Sequence, residues 1–149
     1  MLIRDLLLTK SREVLTIHPE KSLRAAMGLM MEHQIGALPV LFVDGALVGI
    51  VTERDIFRFL YDSRGDMAGA MVADVMTPDV IVGVPDDSVE YIAQVMTQNR
   101  IRHVPVIDAG RLAGIVSIGD VVKARLDDMT VTNRYLMEYI NGGPLFERW

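Results

Sequence analysis

An α+β fold of two pseudo-symmetric β-α-β-β-α repeats, packed through their sheets and followed by a short C-terminal helix, is predicted by three observations. First, the 149-residue chain matches itself at a nearly fixed offset. Shifted by 66 positions, Pro19 falls on Pro85, Ser22 on Ser88, Met30 on Met96, Ile35 on Ile101, Pro39 on Pro105 and Val40 on Val106. One gap in the following turn reduces the offset to 65, and Leu47 then falls on Leu112, Gly49 on Gly114, Ile50 on Ile115, Val51 on Val116, Thr52 on Ser117 and Asp55 on Asp120. Second, each copy carries one apolar stripe of helical period. Third, each stripe is followed by two short apolar runs separated by a turn dipeptide.

The elements follow in order. A lead-in, Leu6-Leu7-Leu8-Thr9-Lys10-Ser11, precedes a helix whose apolar residues Leu23, Ala26, Met27 and Met30 share one face, and Ser22 stands before it as an N-cap. The runs Leu38–Val43 and Leu47–Val51, parted by Asp44-Gly45, read as a hairpin, and a second helix begins near Glu53. Tyr61–Ala73 is rich in Gly, Ala, Ser and Asp and loses periodicity, so a linker with a boundary near residue 68 is expected. The second copy has the lead-in Asp74-Val75-Met76-Thr77-Pro78, the stripe Val89, Ile92, Ala93 and Met96 behind Ser88, and the hairpin Val104–Ile107 and Leu112–Val116 around Ala109-Gly110. Its last helix starts near Ile118. A further short helix is expected over Asn133–Ile140, stopped by Asn141-Gly142-Gly143-Pro144 and followed by an aromatic end, Leu145-Phe146-Glu147-Arg148-Trp149, that docks on another surface. The expected division is 1–66 for the first repeat, 67–128 for the second and 129–149 for a helical tail.

Composition narrows the functional classes. Half of the residues are hydrophobic (50%), yet the apolar runs fall far short of the ~20 residues that cross a bilayer, so no membrane partner is expected. The early acidic residue Asp5 and the lack of a long apolar segment near Met1 argue against a secretory signal and for a cytoplasmic location. The chain has no cysteine, which excludes thiolate metal sites and cysteine nucleophiles. Its formal charge of −5 and scattered basic residues disfavour nucleic acid. Ten methionines suit an adaptable core or contact surface.

Chemistry is concentrated at the two strand-to-helix junctions, Gly49-Ile50-Val51-Thr52-Glu53-Arg54-Asp55 and Gly114-Ile115-Val116-Ser117-Ile118-Gly119-Asp120. Each sets a hydroxyl and a carboxylate three residues apart. That spacing is a capping box, in which the hydroxyl serves first-turn N–H groups and the acid complements the helix dipole. It equally suits a ligand: a helix start attracts phosphate, Thr52 or Ser117 adds a hydroxyl, and Asp55 or Asp120 can accept from the two neighbouring hydroxyls of a ribose. Hydrogen bonds to a charged group contribute ~1.5–3 kcal/mol each, whereas micromolar affinity needs about 8 kcal/mol. A flat base slotted between apolar residues would supply the rest, and Val14, Val51, Val80 and Val116 are available.

The doubled G-[IV]-[IV]-[ST]-x-x-D signature, the Ile-x-x-[LV]-Pro-Val strands at Ile35–Val40 and Ile101–Val106 and the Met-Thr-Pro lead-in together resemble a tandem pair of cystathionine β-synthase (CBS) domains, the Bateman module, over residues 6 to 126. The resemblance implies a disc-like pair with two pseudo-symmetric clefts for adenosine derivatives: AMP, ADP or ATP, and in some members S-adenosylmethionine or NAD(H). It places Thr52 and Asp55 in one cleft with Thr77, Asp79 and Val80, and Ser117 and Asp120 in the other near Lys10 and Val14. Arg102 and His103, just before the second Pro-Val strand, would be phosphate partners, whereas the first copy has Gly36-Ala37 there and Arg54 at most. Unequal clefts are expected, the Ser117/Asp120 one being the better furnished. The first lead-in, Leu6-Leu7-Leu8-Thr9-Lys10-Ser11, departs from the family pattern in lacking the Met-Thr-Pro of the second.

The remaining candidates are weaker. His18 and His33 suit structural or surface roles, no histidine pair has metal-site spacing, and the Met stripe suits the core. No arrangement for nucleophilic or acid–base catalysis is visible, so a nucleotide-sensing regulatory module is expected instead of an enzyme. Its ligand is a regulatory one, with no prosthetic group. It would signal through an unidentified downstream protein or its own oligomer, a homodimer through the repeat helices. The rival class is a purely structural dimerisation module whose junction motifs are only caps.

Overall fold

The structure is a computed structural model and describes residues 1–10 and 13–141. Six helices and four strands are defined among them: α1 (Ile3–Thr9), α2 (Leu23–His33), β1 (Ala37–Leu41), β2 (Leu47–Thr52), α3 (Glu53–Asp62), α4 (Val72–Val75), α5 (Val89–Asn99), β3 (His103–Asp108), β4 (Arg111–Ser117) and α6 (Ile118–Asn141). The mixed fold and the duplication are as predicted. Within each copy the expected stripe is buried, Leu23, Ala26 and Met30 on α2 and Val89, Ile92 and Met96 on α5, and Ser22 and Ser88 accept from the third backbone N–H of their helices.

Both hairpins are antiparallel, β1 with β2 and β3 with β4, and each carries a bulge at the same place, Val40/Leu41 and Val106/Ile107. The leading β element of each repeat is a single parallel bridge, Ile17 with Val40 and Gly83 with Val106, so each sheet has two full strands. α2 and α5 end alike, on Gln34 and Arg100 in the left-handed region. The turn dipeptide Ala109-Gly110 has positive φ at both residues (51° and 77°), the geometry that suits the right-handed twist of a two-residue hairpin.

The cores are assembled crosswise. α1, at the start of the chain, packs Ile3 and Leu6 into the core of the second repeat with Val89, Ile92, Met96, Val104, Val106 and Val116. α4, which begins within the last residues of the expected linker, packs Val72 into the core of the first with Leu23, Ala26, Leu38, Val40, Val51 and Ile56. The docking bonds are equivalent: Ile3 and Arg4 donate backbone N–H to the carbonyls of Asp87 and Pro85, and Val72 and Ala73 donate to those of Lys21 and Pro19. An apolar face with strong backbone anchors explains why a segment expected as linker ends in a helix.

The helix expected over Asn133–Ile140 is present as the continuation of α6, which runs for 24 residues without a break after Asp128. Ser11 of the first lead-in, Gly142–Pro144 of the expected stop and the aromatic end Leu145–Trp149 lie outside the described residues. The repeats meet where β1 and β3 begin, with Gly36 against the ring of His103.

Because Ala109 holds a left-handed conformation that costs a side-chain-bearing residue about 1 kcal/mol, Ala109→Asn or Ala109→Gly should stabilise the fold by ~0.5–1 kcal/mol. Thermal unfolding should show a rise of a few degrees, and no rise would mean that the turn is not of this type.

Candidate functional site

Each junction motif is built as a capping box. Thr52 Oγ1 accepts from the Asp55 N–H at 3.2 Å, and Asp55 Oδ2 accepts from the Thr52 N–H at 2.9 Å and from its hydroxyl at 3.0 Å. At the second junction Ser117 Oγ accepts from the Asp120 N–H at 3.1 Å and Asp120 Oδ2 from the Ser117 N–H at 2.8 Å. Capping and ligand binding therefore use the same side chains, and the difference between the junctions lies in what else reaches each carboxylate.

At Asp55 the neighbour is a neutral hydroxyl: Thr77 Oγ1 donates to Oδ1 at 3.0 Å. Thr77 is held there by paired backbone bonds with Ile50, N–H to carbonyl in both directions at 2.8 and 3.0 Å. Asp79 is exposed and Val80 half-buried beyond it. At Asp120 the neighbour is a cation: Lys10 Nζ donates to Oδ2 at 2.7 Å and to the Ile115 carbonyl at 2.6 Å. This pair is sheltered, with side-chain exposures of 28% and 24%. Burial pushes the Asp120 carboxyl up, but hydrogen bonds from Lys10 and Ser117 outweigh it and hold the group below the usual carboxylate range. Asp120 Oδ1 accepts from none of the described residues.

Glycines let the lead-ins approach this closely. A Cβ on Gly49 would lie 2.6 Å from Met76 Sδ and 3.1 Å from the Thr77 carbonyl oxygen, and one on Gly114 would lie 2.6 Å from Leu7 Cδ2. Gly49 and Gly114 are equivalent residues of the repeat, and Leu7 on α1 and Met76 just after α4 are the equivalent seats.

A cavity of about 1180 Å³ opens at the Asp120 junction and is lined by Lys10, Val14, His103, Ser117 and Asp120, by Glu32–Ala37 at the end of α2, and by Glu13, Lys123 and Asp127. The structure thus brings together five of the residues expected in this cleft. Three expectations are corrected. Val116 is 0% exposed in the second core, clustered with Val104 and Val106 of β3 and the buried residues of α1, α5 and α6, and it has no free surface to offer a base. Arg102 is exposed and does not line the cavity; its backbone carbonyl accepts from the Ile118 N–H. Val51 is likewise fully buried. Arg54 donates from Nη1 to the carbonyl of Arg100 at 3.2 Å, which satisfies the end of α5.

His103 lines the cavity, and burial lowers its pKa, opposed in part by the charge of Glu53. Sequence reasoning missed the acidic wall, Glu13, Glu32 and Asp127, because nothing in local spacing ties those residues to Asp120. Among the described residues no group of His, Asp and Glu forms a metal site, and no helix is long and apolar enough to cross a membrane.

The sequence profile of the CBS domain matches twice, over residues 3–62 and 72–127. The chain belongs to the CBS domain family. This CBS pair is 35% identical over 113 residues to the CBS domain-containing protein YhcV of Bacillus subtilis, a match covering 76% of this chain and 79% of that one. It spans less of other relatives: 59% of a mitochondrial CBS domain-containing protein of Arabidopsis thaliana and 22% of the inosine-5'-monophosphate dehydrogenase of Korarchaeum cryptofilum. Its fold superposes on a CBS-domain containing protein of Agrobacterium tumefaciens with a TM-score of 0.80 at 41% identity, covering 84% of this chain and 99% of that one. Two further similar structures carry ligands. CBSX2 in complex with AMP has a TM-score of 0.72 at 30% identity, covering 86% and 98% of the two chains. The CBS pair of protein MJ0100, in complex with 5-methylthioadenosine and S-adenosyl-L-methionine, has a TM-score of 0.76 at 30% identity, again covering 86% and 98%.

A lowered His103 pKa means that the folded chain binds fewer protons than the unfolded chain just below the ordinary value of 6.5. Stability should therefore be full above that value and decline as pH falls from it through the folded pKa. His103→Gln should flatten this decline in denaturant titrations between neutral and mildly acidic pH. Glu53→Gln should lower the His103 pKa further by NMR, and an upward shift would contradict the placement of Glu53.

Proposed function

We propose that this CBS pair is a regulatory module that binds an adenosine derivative in the Asp120 cavity and transmits its occupancy to a partner protein or to its own oligomer, as a cytoplasmic protein that acts by binding and not by catalysis. The observation that carries this reading is the open cavity floored by the start of α6, where Asp120 keeps Oδ1 available beside the Lys10 ammonium. The ribose hydroxyls would donate to Asp120, the base would lie along Val14 and the apolar stretch from Ile35 to Ala37, and an anionic group would meet Lys10 and the Ser117 hydroxyl. AMP in one similar structure and 5-methylthioadenosine with S-adenosyl-L-methionine in another support the class of ligand.

Charge ranks the candidates within that class. The lining carries the carboxylates of Glu13, Glu32, Asp120 and Asp127 against the ammonium groups of Lys10 and Lys123, and Lys10 is already paired. Such a wall favours an adenosine derivative with little negative charge over ATP. The Asp55 junction is the weaker site, since both oxygens of Asp55 are already engaged by Thr52 and Thr77.

Homodimerisation belongs to the same proposal. Phe57 and Tyr61 on α3 occupy the places that Val122 and Leu126 occupy on α6, and all four are exposed, the aromatic pair to 77% and 80%. An apolar patch repeated at equivalent places on two helices suits a symmetric interface.

Isothermal titration should show binding of AMP, adenosine or S-adenosylmethionine at least about tenfold tighter than ATP, a preference worth ~1.4 kcal/mol. Asp120→Asn should weaken that binding by roughly ten- to hundredfold through loss of a charged acceptor, while the melting temperature moves little because the amide oxygen still caps Ser117. No heat with any of these ligands, or a destabilised variant that binds unchanged, would reduce the junction to a helix cap.

A further inference from the structure

We infer that the distal part of α6 pairs with α6 of a second copy as a parallel two-stranded coiled coil, with Asn133 fixing its register. The inference rests on the homodimer proposed above and names a surface for it. Val122, Leu126, Met129, Asn133 and Leu136 are spaced 4, 3, 4 and 3 residues apart, and the sequence places Ile140 four further on. That alternation is the a/d seam of a heptad repeat, with Leu126, Asn133 and Ile140 at a and Val122, Met129 and Leu136 at d.

The geometry leaves this seam open. At 100° per residue, positions 118, 122, 126, 129, 133 and 136 fall within roughly 80° of one another, whereas Val121 and Ala124, the buried residues of α6, lie about 100° and about 160° from the centre of that arc. α6 therefore holds the body of its own repeat with one face and shows another to its surroundings. The apolar seam residues from Ile118 to Leu136 are between 39% and 60% exposed. Beyond Ala124 every described side chain of α6 is exposed. Thr130-Val131-Thr132-Asn133 is a weak helix-forming stretch, and a helix that extends past its last buried residue with such a sequence needs a packing partner.

Asn133 selects a second copy as that partner. In a parallel, in-register pair the two Asn133 side chains meet and bond each other, whereas against an apolar partner the amide would be buried unpaired. Thr130, Thr132 and Met137 flank the distal seam without charge, Lys123 and Arg125 flank only its start, and Asp127 and Asp128 occupy outer heptad positions. A stable dimer buries ~800 Å² per partner, more than one seam of this length supplies, so Phe57 and Tyr61 on α3 would complete the interface.

The native chain has no cysteine, so single-cysteine variants report pairing cleanly. Under mild oxidation Leu136→Cys should form a disulfide dimer at least about tenfold faster than Asp128→Cys at an outer position. Faster formation between Met129→Cys and Leu136→Cys chains in a mixture would mean an antiparallel pair and overturn the proposal, as would equal rates at the seam and the outer position. In sedimentation, Leu136→Glu should weaken self-association at least about tenfold with unchanged thermal unfolding of the repeats. A dimer undisturbed by Leu136→Glu would overturn the coiled coil and leave the dimer standing on α3. A wild-type chain monomeric at every concentration would overturn both and assign the seam to another occupant, the C-terminal segment or a different protein.

Discussion

The crossed docking of the two short helices is the constraint on which the rest of the molecule depends. Ile3 and Val72 are both fully buried, each opening one repeat and packing in the core of the other, and each is pinned by a backbone bond of 2.8 Å at its own N–H. Neither repeat closes its core without the other's lead-in, which makes the two halves one cooperative unit. The clefts follow from the same exchange. α1 carries Lys10 to the Asp120 junction, and the segment after α4 carries Thr77 to the Asp55 junction. The helix-start carboxylates thus become parts of a composite site only because chain from outside their own repeat passes over them, at a distance that Gly49 and Gly114 permit.

The choice between cap and site, open at the level of sequence, does not need one answer. A capping box satisfies first-turn donors and keeps the carboxylate in a fixed rotamer. Asp120 then lines the cavity with Oδ2 committed to Ser117 and Lys10 and Oδ1 without a partner among the described residues, so the cap preorganises the acceptor. A hydrogen bond formed by an already fixed group costs less side-chain entropy than one formed by a mobile group.

What the sequence disclosed and what it hid divide along the range of the interactions involved. Helix stripes, N-caps, hairpin turns and the repeat itself are local patterns, and Leu23–Met30, Ser22, Ser88 and Asp44-Gly45 were legible as such. The cleft residues Lys10, Val14, His103, Ser117 and Asp120 were legible through the family resemblance, and the structure sets all five around one cavity. The apolar wall was misread at Val116, since an alternating strand has one face for the core and β4 turns that one inward. The crossed helices were also missed, although a trace exists: at an offset of 69, Leu2-Ile3-Arg4-Asp5 falls on Met71-Val72-Ala73-Asp74, with Asp5 and Asp74 each accepting from the backbone three residues earlier. A fixed 66-residue offset conceals that match.

The change of offset is also the origin of the inequality between the clefts. α1 has seven residues and α4 has four, a difference of three that returns the offset from 69 to 66 by Val14 and Val80. The extra residues let the first lead-in extend past its glycine contact by almost one more turn and deliver a lysine, where the second delivers a threonine hydroxyl. A cation at Asp120 stabilises the charged carboxylate against its own burial, while Asp55 relies on neutral donors alone. One near-turn of helix in a lead-in thus converts a duplicated frame into two chemically distinct junctions, one sheltering an ion pair beside open space and one closed upon its own hydroxyls.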